Sequence, residues 1–117
     1  MHKPLISIVA CLALSACANL EHASTGPRVS VYKYVGSLQC KGGGMPLATM
    51  MRQLSDAGIP ALNVSCGRDG KIYSAMCGAA DGHIGVLEVP EAKAPAAEAL
   101  GFALLSGLPE ATKVACP

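Results

Sequence analysis

Apolar and polar positions alternate first over Val29–Val35, where β-branched residues are interleaved with Ser30, Lys33 and two tyrosines; this reads as a strand. Gly42-Gly43-Gly44 breaks the pattern, and Pro46 stands where the first residue of a helix tolerates it. Leu47, Met50, Met51, Leu54 and Ala57 then recur at helical spacing, and Gly58 is a natural stop. Two further strands, Ala61–Cys66 and Lys71–Cys77, flank a hairpin turn at Asp69-Gly70. A second turn at Asp81-Gly82 leads into a strand over His83–Val89, which Pro90 ends. Pro95 opens a second helix in which Ala97, Leu100, Ala103, Leu104 and Leu108 share one stripe, with Gly107 near its end. The order β-α-β-β-β-α predicts an α+β fold. Its simplest packing is a small two-layer sandwich, a mostly antiparallel sheet with two helices on one face.

The region before Val29 follows a different pattern. Met1-His2-Lys3-Pro4 carries positive charge, and the apolar run Leu5–Leu14 is too short to span a bilayer but fits the core of a secretory signal. Leu14-Ser15-Ala16-Cys17 follows. This tetrad resembles the lipobox of bacterial lipoproteins: an aliphatic residue, two small ones, then the cysteine that receives the lipid. The resemblance covers residues 1–17 and implies cleavage before Cys17, diacylglycerol on its sulfur and acylation of the new amino group. Ala18 stands where the family's inner-membrane retention signal would place Asp, so the resemblance favours the outer membrane, with the domain facing the periplasm. Several acyl chains make such anchoring effectively permanent, since each buried CH₂ contributes about 0.8 kcal/mol. The expected organisation is a signal peptide at 1–16, a lipidated cysteine and flexible tether at 17–28, and one domain at 29–117. The tether reaches roughly 35–40 Å when extended and averages nearer 20 Å as a coil.

The cysteines extend the picture. Cys11 leaves with the leader and Cys17 takes lipid, so Cys40, Cys66, Cys77 and Cys116 remain for two disulfides in an exported domain. With a two-residue turn at Asp69-Gly70, Cys66 and Cys77 stand four residues out of register, roughly 13 Å apart. A disulfide needs Cα atoms within about 7 Å, so these two do not pair. The preferred arrangement is 40–66 with 77–116, and the alternative is 40–77 with 66–116.

Only Tyr32, Tyr34, Tyr73 and Phe102 are aromatic although hydrophobic residues make up 51% of the chain, which predicts a light core in need of staples. Loss of Lys3 with the leader leaves eight cations against eight carboxylates, a balance that argues against a nucleic-acid partner. No Cys-x-x-Cys, Gly-x-Ser-x-Gly or Gly-Lys-Ser/Thr motif is present. Asp81 and His83 are spaced for an Asp-His pair, with Ser65 or Ser74 as conceivable nucleophiles, but such a trio occurs in most proteins and no catalytic residue is assigned. The methionines read as core rather than as soft metal ligands, and no metal or cofactor is expected. Lys41, Gly43 and Arg68 are the candidate ligand-binding residues, through a glycine-rich loop and a basic turn. The expected role is therefore non-catalytic: an envelope lipoprotein held to the membrane by its lipid and docked to another envelope protein. The alternative is a periplasmic module that binds a small molecule or glycan, or inhibits an enzyme. In anchor, size and cysteine number the chain resembles small outer-membrane lipoproteins that act as envelope stress sensors, a likeness that carries no site residues over.

Overall fold

The structure, a computed structural model, describes residues 26–117. Its elements run β1 (Arg28–Tyr34), α1 (Leu47–Asp56), β2 (Leu62–Arg68), β3 (His83–Pro90), α2 (Ala94–Ala99), β4 (Ala103–Leu104) and β5 (Thr112–Val114). The five strands form one sheet in the order β4-β1-β3-β2-β5, and every pairing is antiparallel. The fold is α+β, stapled by two disulfides.

The alternation in β1 and β3 divides the sheet into two faces. Val31 opposite Leu87 and Val29 opposite Val89 face the helices, while Tyr32 opposite Val86 and Tyr34 opposite Ile84 face away. Both helices lie on the first face, where Met50, Leu54, Ile59, Leu87, Ala97 and Phe102 form the main core. Gly85 seats α1: a Cβ there would stand 2.4 Å from Met50 Sδ and 2.5 Å from a Leu47 methyl, so the helix is in contact with strand backbone. The opposite face is covered more thinly, by Leu105, Leu108 and Ala111 over Ile84 and Val86.

Both helices end in the same way. After α1, Gly58 takes φ +73°, its N–H bonds Ser55 O at 2.9 Å, and Ile59 N–H returns to Leu54 O at 2.9 Å. After α2, Gly101 takes φ +92°, its N–H bonds Glu98 O at 3.0 Å, and Phe102 N–H returns to Ala97 O at 3.1 Å. These are two Schellman caps, each turning an apolar residue, Ile59 or Phe102, into the core. Lys33 ties the helices together. Its Nζ donates to Gln53 Oε1 at 2.9 Å and to Leu100 O at 3.0 Å while lying 4.9 Å from the centre of the Phe102 ring.

Four sequence expectations are corrected. The second helix does not continue to Leu108: Gly101 stops it, and Ala103–Leu104 pairs with Val31 and Tyr32 instead. Residues 71–77 are not a strand. The two Asp-Gly pairs are not separate hairpin turns either but stand together at the base of one long loop, where Asp69 N–H bonds Gly82 O at 3.0 Å. The fifth strand is β5, beside β2. Finally, the disulfides are Cys40–Cys77 and Cys66–Cys116, not the preferred 40–66 with 77–116. Cys66 pairs across the ladder with Val114, and Cys116 lies two residues further along the same edge. Backbone bonds between Gln39 and both Gly78 and Ala79 bring Cys40 to Cys77. Cys66 and Cys77 do remain unpaired with each other, although the segment holding Cys77 is a loop rather than a misregistered strand.

Candidate functional site

β1 enters the domain at Arg28, beside Pro90, and ends at Tyr34, so a strand of seven residues separates the two ends of the sheet by about 20 Å. The Arg28 end gathers Gly26, Pro27, Gly58, Pro60 and Pro90. The other end carries the 36–44 segment and the 69–82 loop, and here the unusual surface features collect.

The 69–82 loop is fastened by an inward-turned carboxylate. Asp69 is 2% exposed and accepts hydrogen bonds from Tyr34 Oη at 2.9 Å, from Lys71 N–H at 2.9 Å and from Tyr73 Oη. Burial opposes ionisation of this carboxyl, but the donors from Tyr73, Lys71 and Tyr34 outweigh it and hold Asp69 below the usual carboxylate range. The tyrosines feel the reverse. Burial and then the Asp69 carboxylate push the Tyr34 hydroxyl up to about 12, and the same carboxylate, followed by burial, raises Tyr73. The Cys40–Cys77 bridge fastens the far side of the loop, and Asp69 bonds its start. Between these two fastenings Ile72 is 100% exposed and Met76 74% exposed.

A cavity of about 160 Å³ opens beside the loop, walled by Val35 and Ile84 and edged by Ser37, Gly43, Asp81 and His83. Asp81 accepts from Ser37 Oγ at 2.8 Å and from His83 N–H at 3.0 Å, and lies 2.9 Å from His83 Nδ1. Burial works against its charge, yet these donors, with Ser37 first, bring its pKa down to about 2. The contact with an ionised Asp81 places a proton on His83 Nδ1.

The Asp-His pair anticipated from spacing is thus formed, but without the nucleophile a triad uses. Ser37 gives its hydrogen to the aspartate, whereas a triad serine bonds the imidazole. Ser65 Oγ is buried without a hydrogen-bond partner, and Ser74 Oγ accepts from Met76 N–H. Of the candidate ligand residues, Gly43 lines the cavity, whereas Arg68 is not part of its lining and donates to Asp81 O at 3.1 Å. Lys41 points elsewhere: its Nζ is 3.7 Å from where a Cβ on Gly78 would stand. Met50 is in the core and Met76 on the loop, so the methionines do not converge. Among the described residues no group of three His, Cys, Asp or Glu could hold a metal ion, and no helix is long and apolar enough to cross a membrane. Cys17 and the lipobox lie outside the described residues. Sequence reasoning missed Ile72 and Met76 as surface features. The only sequence signal for them was two large apolar residues in a segment bounded by Asp-Gly pairs.

No protein-family model matches the chain, and comparison with curated proteins and with solved structures finds no significant match.

Proposed function

We propose that this chain is a non-catalytic lipoprotein of the bacterial envelope that docks another envelope protein through its 69–82 loop. The observation that carries the reading is the full exposure of Ile72, with Met76 nearby, on a loop fixed by Asp69 and by Cys40–Cys77. A large apolar side chain held rigidly in water costs free energy that a partner's surface would recover, and pre-ordering lowers the entropy lost on binding. The lipobox supports attachment through Cys17, and Ala18 supports the outer membrane. The 69–82 loop lies at the opposite end of the sheet from Gly26 and Pro27, an arrangement that suits a domain anchored upstream of Gly26. The test is a cross-linking pull-down of the full-length lipidated protein from its own envelope, against Cys17→Ser and Ile72→Asp versions. One prey at near-equal stoichiometry, lost in both variants, is the expected result. Capture of the same bulk envelope proteins by all three versions overturns the reading.

A second reading, a small polar ligand in the cavity, is favoured by the polar edge that Ser37, Gly43, Asp81 and His83 form around its apolar wall. Saturable binding of a glycan fragment that disappears in Arg68→Ala would support it over the first.

A further inference from the structure

The two disulfides sit in different surroundings. Cys66 is 8% exposed, inside the sheet between Gly85 on β3 and Val114 on β5. This burial hinders attack on its sulfur. Cys116 is exposed, but attack there would expel a thiolate at the buried Cys66 position, where low polarity disfavours it. Cys40 and Cys77 are both exposed and lie outside the ladder of the sheet. Cys40 also holds φ +65°, a left-handed backbone that a non-glycine residue adopts at a cost and that the closed loop maintains. Lys41 brings its ammonium beside Gly78, the neighbour of Cys77. A cation there attracts an incoming thiolate and stabilises a departing one.

We propose that Cys40–Cys77 is a thiol-exchange site, opened by a dithiol oxidoreductase of the periplasm, while Cys66–Cys116 remains a structural bridge. The incoming thiolate bonds Cys40 Sγ, the Cys40–Cys77 bond breaks, and Cys77 leaves as a thiolate that takes up a proton. The second thiol of the reductant then attacks the mixed disulfide and releases Cys40, likewise protonated. The protein has gained two electrons and two protons, and the dithiol has become a disulfide. What then holds the loop is the Asp69 cluster and the backbone bonds to Gln39, so reduction loosens the segment that carries Ile72 and Met76. This consequence deepens the docking reading and rests on it; the exchange chemistry does not.

The full-length protein in detergent micelles is exposed to graded dithiothreitol, quenched with a thiol-alkylating reagent and mapped by peptide mass. Cys40 and Cys77 are expected to be labelled roughly tenfold or more faster than Cys66 and Cys116. Equal rates, or the reverse order, overturn the proposal. Trypsin cleavage after Lys71 should rise about tenfold once Cys40–Cys77 alone is open, because a held loop resists the extended conformation a protease needs. Unchanged cleavage overturns the loosening. Neither assay needs a partner, so failure of exchange and failure of docking are read separately.

Discussion

The two ends of the sheet are ordered by different means. Toward the Arg28 end, order comes from burial: Leu54, Ile59, Val89 and Ala97 have almost no exposed surface, and both helices close with a glycine turn that drives an apolar residue inward. Toward the loops Ile84 is also buried, but the segments beyond it are held by two inward carboxylates and a disulfide. A core residue there would hide its apolar surface, whereas a covalent and polar fastening leaves Ile72 and Met76 outside. The loop end can therefore present apolar side chains in a fixed arrangement, which an end stabilised by burial cannot.

Substitutions should separate these two mechanisms. Leu87→Ala, at a site with no exposure, should cost about 3 kcal/mol in chemical denaturation of the whole domain, because the surrounding core cannot collapse onto the gap. A loss below 1 kcal/mol would show that burial is not what orders the core. Asp69→Asn should cost about 2 kcal/mol, since an amide cannot accept the three donors that now converge on the carboxylate. Its effect should be concentrated in faster hydrogen exchange over residues 71–79, with the helices little changed.

Acidification probes the same end. The folded pKa of Asp81 lies below its unfolded value, so its contribution is fully present above about pH 4 and is lost as pH falls toward about 2. Asp69, also lowered, acts in the same direction. Melting temperature should fall through that window, and less so in Asp81→Asn. Lys33→Met, which removes the ammonium shared by Gln53 and Leu100 O, should cost about 1 kcal/mol, read from the denaturation midpoint. Ile72→Ser should change stability by less than about 0.5 kcal/mol, because the side chain touches little. If Ile72→Ser instead destabilises the domain as Leu87→Ala does, the contrast between the two ends fails.

Much of the Arg28 end was legible in the sequence. Val29–Val35, the α1 stripe ending at Gly58 and the run before Pro90 each carry a period or a stop signal that acts over a few residues. Gly101 carried the same stop signal as Gly58, but a leucine stripe read across it led to a helix too long. In the structure the local cap prevails, because Phe102 gains more from the core than a further helical turn would offer. The loop end was legible only in its ingredients. Asp69-Gly70 and Asp81-Gly82 each look like a hairpin turn, and nothing local reveals that they close one loop together. Of the three residues anticipated for a ligand, Gly43 lines the cavity, Arg68 reaches it only through Asp81 O, and Lys41 diverges to Gly78; the Asp81–His83 pair reads in the sequence as a polar turn edge. A side chain's direction depends on where the loop returns, which is a long-range property.

By itself the sequence determined the class of fold, the first strand and the first helix. These rest on periodicities and stop signals, all short-range. Tertiary structure decided which cysteines meet, where the second helix yields to a strand, and that Ile72 stays in water while Asp69 and Asp81 turn inward. Each of those outcomes depends on contacts between residues far apart in the chain, where many pairings are locally equivalent and only the packed sheet selects among them.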